Sequence, residues 1–356
     1  MIGFSIRKTL ILTFSIMLIF SVGVAWAGGA GESEEHQHEE EEDHHEGEHE
    51  GEDHDDHDHD AEGEHDHEDE HDHEDEHDHE GEMSLPHMDP ADLGDGESLQ
   101  VVASTSIVGN VVQQVAGSAA TVDVLMDRGQ NPHAYEPSPQ EMSRVEDAYV
   151  VFVNGLGLEE GLMGSIENVA NSYVVPVSAG ITVLGGEGGD HGHDHAGGDP
   201  HVWFDPTNVI TWTENIAEAL SEADPSNRST YQANRDAYIA ELEALDLEIR
   251  QQISSIPRSR RKLVVDHVAL TYFADEYGFE IIGEVIPSVS DQTEPSARHI
   301  ARLTEVMQEE DMGAIFIGGT AGSGLRNLVD SVADEVGRDI QIVEILTGSL
   351  APEGSR

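Results

Sequence analysis

The sequence predicts an α/β protein with two parallel-sheet lobes joined by one long helix, preceded by a low-complexity region. Three observations support this. From residue 100 onward, short β-branched apolar runs alternate with amphipathic helical patterns, which implies βαβ units and mostly parallel sheets. The alternation occurs twice, four strands each time, on either side of a single unbroken helical stripe. Residues 31–82 contain no aromatic residue and no aliphatic one beyond Ala, so they belong to neither core.

The chain opens as a secretory signal. Arg7 and Lys8 form a basic region, LILTFSIMLIFSVGV an apolar one, and Ala25-Trp26-Ala27 a small-x-small cleavage pattern, placing cleavage after Ala27. An uncleaved membrane anchor is the alternative, since the apolar run is nearly long enough to span a bilayer. Residues 28–98 read as a disordered acidic, histidine-rich region and linker, with 83–98 as the linker. The hexad EHDHED recurs from Glu64 to Glu80, and fourteen histidines between positions 36 and 79 sit among thirty acids. Acid alone would make a solubilising tail. Histidine at alternate positions adds many weak, interchangeable sites for zinc, nickel or copper.

The first lobe is expected over residues 99–223. QVVAST is a buried strand, and SIVGNVVQQVAG a helix with Val108, Val111, Val112 and Val115 on one side. TVDVLM is a strand leading into the loop DRGQNPHAYEP. SPQEMSRVEDA opens as a Ser-Pro helix, AYVVFVN is a strand, LGLEEGLMGSIENVAN a helix and YVVPVS the fourth strand. A glycine-rich loop over 185–199 follows, carrying His191, His193 and His195. Residues 207–222 form a helix with Trp212, Ile216 and Leu220 on one face.

Residues 224–256 are the linking helix, with Tyr231, Tyr238, Leu242, Leu245 and Ile249 as its apolar stripe. At roughly 45 Å it is long enough to span two lobes. The second lobe, 257–356, repeats the alternation: strand KLVVD, helix VALTYFADEYG, strand EIIGEV, a helix entered at Glu294-Pro295-Ser296, strand GAIFIGG, helix LRNLVDSVADEVG and strand QIVEIL.

Composition narrows the function. The chain has 74 acidic and 16 basic residues and a net charge of -58, which argues against nucleic acid and fits a cation-binding protein. The absence of cysteine removes disulfides, thiolate metal sites, cysteine nucleophiles and a lipid anchor on an N-terminal cysteine.

Three separated histidines stand out at strand or loop ends: His133 in NPHAYEP, His201 in DPHVWFDP and His267 in VVDHVAL. A lone histidine is more often a solvated or core residue. Two of these follow a proline that restrains the backbone and the third ends an apolar strand, so together they form a candidate metal-ligand set.

NPHAYEPSP, DPHVWFDPTNV, the Tyr231…Asn234…Tyr238 helix, VVDHVALTYFADEYGFE and TEPSARHIARL resemble the metal-binding ABC-transporter substrate-binding proteins, more narrowly the periplasmic zinc-binding component. The resemblance spans roughly Gln100 to Leu350. It implies two α/β lobes bridged by a rigid helix, with a metal in the cleft between them held by His133, His201 and His267. A histidine in the third position resembles zinc members, where manganese and iron members usually carry Glu. The loop at 187–195 also looks like zinc members. Where manganese-type relatives supply C-terminal carboxylates, this chain has Gly348 in LTGSL and Gly318 and Gly319 in IFIGG. Water, or a carboxylate such as Glu136, would complete the sphere. Asp266 and Asp205 are candidates to orient the imidazoles or to cap and shape their loops. Relatives also continue into a final helix beyond the position of Arg356, so a less stable second lobe is expected.

The expected function is capture of Zn²⁺ outside the membrane and delivery to an ABC permease and its ATPase by a monomeric, non-enzymatic protein. It would be periplasmic, or extracellular and membrane-tethered if the signal is retained. Binding is expected to fall near pH 6 as the imidazoles protonate. A histidine-rich metal buffer or a manganese- or iron-binding relative is the alternative. A zinc hydrolase would need a general base, and no HExxH pairing is present.

Overall fold

The computed structural model describes residues 83–94, 96–169, 172–185 and 198–351. The signal, the acid–histidine tail and His191, His193 and His195 lie outside the described residues.

The first sheet contains β1 (Leu99–Ala103), β2 (Ala120–Val124), β3 (Val150–Val153) and β4 (Tyr173–Pro176), in the order β2-β1-β3-β4 with every pair parallel. Parallel sheets have both faces covered, which is why β3, VVFV, is an unbroken apolar run buried at every position. The covering helices are α1 (Ser106–Ala116), α2 (Pro139–Asp147), α3 (Glu160–Val169) and α4 (Pro206–Ala223).

Local chemistry fixes where these helices start. Thr105 Oγ1 accepts from the Val108 N–H at the head of α1. Ser138 and Glu141 form a reciprocal capping box on α2, with Pro139 in the first turn. Asp205 caps α4 through the Thr207 N–H, again with proline next.

The linking helix is α5 (Arg228–Ser254), about 40 Å long at 1.5 Å per residue. Tyr231, Leu242, Ile249 and Ile253 form its buried stripe, with Tyr238 and Leu245 half-buried. Near its start the Asn234 amide donates to the Val115 carbonyl of α1 at 2.9 Å. Toward its end Asp246 accepts from Tyr277 at 2.9 Å, and Arg250 pairs with Glu276, both partners lying in the second lobe. One helix therefore grips both lobes.

The second sheet contains β5 (Lys262–His267), β6 (Glu280–Ile286), β7 (Ala314–Gly318) and β8 (Gln341–Ile345), in the order β6-β5-β7-β8, also all parallel. Its helices are α6 (Thr271–Tyr277), α7 (Ala297–Glu309), capped by Ser296, and α8 (Ser323–Val336). Val264, Val285, Met307, Ile315, Val329 and Val332 centre its core. After β8 the chain crosses back to the first lobe, where Ser349 Oγ lies 3.0 Å from Ser106 Oγ and accepts from the Gly129 N–H at 2.6 Å.

Two sequence expectations need correction. Residues 83–94 are not a free linker. Met88 is buried, its N–H donates to Glu222 at 3.1 Å, the Ala91 N–H donates to the Ala223 carbonyl and Tyr149 donates to the Asp89 carbonyl. The stretch MSLPHMDPADLG is largely apolar, and burial of Met88 with a few hydrogen bonds docks it. The helix expected from Val268 begins at Thr271, and the Val268 N–H instead donates to the Ser288 carbonyl at 2.9 Å.

Candidate metal centre

Each histidine is set by its own backbone device. His133 is the middle residue of a tight turn, Pro132–Ala134, in the loop after β2. Asn131 caps that turn, its Oδ1 accepting from the His133 N–H at 3.0 Å. His201 follows Asp199-Pro200 and is fully buried. One oxygen of Asp199 accepts from both the His201 backbone N–H, at 2.9 Å, and its ring Nδ1, at 2.7 Å. His267 is the last residue of the central strand β5. Oδ1 of Asp266 binds its backbone N–H at 2.8 Å and its Nδ1 at 2.9 Å, while Oδ2 accepts from the Gly318 N–H of β7 at 2.7 Å.

These devices bring all three rings together. His133 Nε2 lies 3.1 Å from His201 Nε2, and His267 Nε2 lies 3.4 Å from the same atom. The candidate ligand atoms of the three all fall within 4.8 Å of one another. Because Asp199 and Asp266 are acceptors, each places the ring hydrogen of its histidine on Nδ1 and leaves Nε2 as a bare lone pair. When both rings are neutral, two lone pairs of this kind face each other across 3.4 Å, a repulsion that either a proton on one ring or a shared metal ion relieves. The spacing suits a small divalent ion, since zinc–imidazole bonds of about 2.05 Å arranged tetrahedrally set nitrogens about 3.3 Å apart.

Electrostatics separate the three. Burial, reinforced by the charges of His201 and His267, holds His133 well below the ordinary imidazole range. Burial lowers His201 as well, against the opposing pull of Asp199. At His267 burial acts in the same direction, but the hydrogen bond and charge of Asp266, with Asp291 and Asp199 beyond, outweigh it and raise the value. Asp199 and Asp266 are held low despite burial by their histidine partners, so both are carboxylates.

The candidate orienting residues divide. Asp266 fills that place, but Asp205 does not: its oxygens accept from the Thr207 N–H at 2.8 Å and hydroxyl at 2.7 Å, which makes it a helix cap. Asp199 holds His201 instead. The sequence reading singles out Asp205 of DPHVWFDP and passes over Asp199, the other Asp-Pro of the same motif, and the fold assigns the ring to Asp199 and the helix to Asp205. Glu136 is exposed and lies outside the cluster. Gly318 is required by close approach, because a Cβ there would stand 2.3 Å from Thr347 Oγ1 and 3.3 Å from Asp266 Oδ2. A Cβ at Gly348 would meet Pro132 at 2.9 Å. Two residues not anticipated border the site. Trp203 stacks edge-on to His201 at 5.2 Å between ring centres and donates to the Thr347 carbonyl, and Asp291 is bound by Asn131.

The family model for the periplasmic zinc-uptake complex component A matches residues 101–355. The chain belongs to this family. It is thus a metal ABC-transporter substrate-binding protein that works outside the cytoplasmic membrane. Among the described residues no helix is long and apolar enough to cross a membrane. The manganese-binding lipoprotein MntA of Halalkalibacterium halodurans is 36% identical over 261 residues, covering 73% of this chain and 83% of that one. The iron ABC transporter substrate-binding lipoprotein MtsA of Streptococcus pyogenes is 30% identical, covering 72% and 83%. Among solved structures, the periplasmic zinc binding protein TroA of Treponema pallidum superposes with a TM-score of 0.66 at 28% identity, over 73% of this chain and 92% of that one. The family membership thus agrees with the resemblance, whereas the relatives' names divide between zinc, manganese and iron.

Proposed function

We propose that the protein captures Zn²⁺ and delivers it to an ABC permease and its ATPase for uptake. The observation that carries this reading is the convergence of three imidazole Nε2 atoms, two of them with their tautomer fixed by a buried carboxylate. An all-nitrogen donor set suits zinc, whereas manganese favours carboxylate, carbonyl and water oxygens. His133 and His201 come from the first lobe and His267 from the second, so the ion is clasped between them. A helix that grips both lobes is a poor hinge, so release proceeds by a small displacement of one lobe imposed by the permease. His191, His193, His195 and the histidines of 36–79 act as auxiliary collectors.

Manganese has one specific observation in its favour, the 36% identity to a protein named manganese-binding. Calorimetric titration with Zn²⁺ and Mn²⁺ separates the two readings, using the mature chain and a chain lacking residues 31–82, each with and without His267→Ala. The expected result is one tight zinc site without the tail, weak manganese binding, and loss of the tight site in the variant. Tighter manganese than zinc binding would transfer the role to manganese. Tight zinc binding that survives His267→Ala would move the site elsewhere and leave the tail as a metal buffer.

A further inference from the structure

The loop that carries His133 reaches residues beyond the linking helix at three points, Arg128 to the Ala351 carbonyl, the Gly129 N–H to Ser349 and Asn131 to Asp291, and the last adjoins the histidine itself. Asn131 uses both ends of its amide. Its Oδ1 accepts from the His133 N–H at 3.0 Å, and its Nδ2 donates to both oxygens of Asp291, at 3.0 and 2.8 Å, in the loop between β6 and α7. Asp291 Oδ1 also accepts from Gln292 Nε2 at 2.6 Å, and the chain just before it is fixed. The Ser290 N–H donates to Ser288 Oγ at 3.2 Å, and the Ser288 carbonyl accepts from the N–H of Val268, the residue after His267. A connected path therefore runs from the His133 backbone by hydrogen bonds through Asn131 to Asp291, and from there along the backbone of 288–291 to the Val268–Ser288 bond at the end of the strand that presents His267.

Residue chemistry makes this link specific. Position 131 needs an acceptor toward His133 and a donor toward Asp291 at once, and an asparagine side chain supplies both at the required length. Aspartate is nearly isosteric and would keep the turn cap, but it would set two carboxylates against each other across the cleft. A bond from an amide to a carboxylate is also the stronger, charge-assisted kind.

We infer that Asn131 and Asp291 form an interlobe latch, a pair of positioning residues that holds His133 against the His201–His267 pair and sets how long the metal stays bound. The inference rests on the reading of the histidine cluster as a metal site. With the latch closed, an ion leaving the cleft must wait for the two loops to separate. With it broken, the loop keeps its ties at Arg128 and Gly129 but loses the one beside His133, and the ion is left on two histidines more often.

The test measures metal release from the full chain by mixing the Zn²⁺ form with excess chelator and following tryptophan fluorescence, for which Trp203 against His201 is the reporter. Asn131→Asp is expected to speed dissociation roughly tenfold, the change that loss of one charge-assisted hydrogen bond carries, with little change in the association rate. The swapped pair Asn131→Asp with Asp291→Asn restores donor to acceptor and should return the rate to within about twofold of wild type, a rescue that a general loss of fold would not give. Release from Asn131→Asp at the wild-type rate overturns the latch, as does failure of the swap to rescue while the swapped protein still melts cooperatively. If Asp291→Asn removes one oxygen neighbour from the zinc X-ray absorption spectrum, Asp291 is a ligand and the latch is overturned. If the wild type holds neither Zn²⁺ nor Mn²⁺ in its cleft, the metal reading fails and takes the latch with it.

Discussion

The two lobes share one strand order, so β1 and β5 occupy the same central place in their sheets, yet the residues that follow them do different work. Past β1, Ser104 donates to the buried Glu159 at 2.6 Å and Thr105 caps an 11-residue helix. At the matching end of β5 stand Asp266 and His267, and the helix that follows has seven residues, with Leu270 at its head making no side-chain cap bond. The C-terminal end of a strand is where open α/β sheets place their ligands. It can secure the next helix or aim a ligand, and here each lobe has taken one of the two uses.

The sharpest way to break that division is to exchange the losses. His267→Ala should lower zinc affinity by more than about 100-fold, beyond what loss of an orienting partner produces. Thr105→Ala, at the equivalent end, should leave affinity within about twofold. Isothermal titration of both variants checks the pair, and a comparable loss in the two would end the argument.

The next largest effect belongs to the carboxylates behind the rings. Asp199→Asn and Asp266→Asn should each weaken zinc by about 10- to 100-fold, since the amide can present a donor to Nδ1 and disturb the tautomer. Asp266 should be the more sensitive, because its second oxygen also ties β5 to the Gly318 N–H of β7. Equal small losses, measured by competition with a zinc chelator, would show that the tautomers are not set from these positions.

Proton competition sharpens the contrast between lobes. Zinc binds neutral imidazole, so a proton on His267 must leave before the ion can enter. The His267 value is raised, so its competition starts above the ordinary imidazole value of 6.5 and grows as pH falls. Burial lowers both His133, well below that value, and His201, so their competition begins at lower pH than that of His267. The three histidines thus should not protonate together near pH 6 as their sequence contexts suggest. As pH is lowered from neutral, the protons released per zinc bound should rise toward one before rising further, measured by calorimetry in buffers of different ionisation heat. A single rise to three would mean the lobes are electrostatically alike.

How much of this could be read in the sequence follows from how far each interaction reaches along the chain. Buried parallel strands announce themselves as runs such as VVFV and KLVVD, and helix starts as Ser-Pro or Asp-Pro pairs, because both signals are local. The three histidines were legible for the same reason, through their prolines and strand end. Asp199 was not distinguishable from Asp205, since each precedes a proline within a single eight-residue motif. Asp291 was out of reach entirely: its partner Asn131 lies 160 residues away, and nothing near either residue records the contact. The docking of residues 83–94 was hidden because MSLPHMDPADLG carries its apolar residues, Met88 among them, without a helix or strand period.

The smallest predicted effect concerns stability alone. Removing the α1 cap with Thr105→Ala should lower stability by about 1 kcal/mol, and the melting temperature by about 2–4 °C for a protein of this size. The reverse experiment on the second lobe should not mirror it. Leu270→Ser would offer α6 a cap it lacks, a gain of about 1 kcal/mol, but Leu270 is buried, and exposing such a side chain forfeits about 1.5–3 kcal/mol. Burial exceeds capping, so the melting temperature should fall in this variant too. A rise would mean that the start of α6 was free to be capped and that His267 imposes nothing on the helix behind it. A fall with zinc affinity retained would place the constraint in the core beneath the helix, where an apolar residue at position 270 serves the lobe better than a cap.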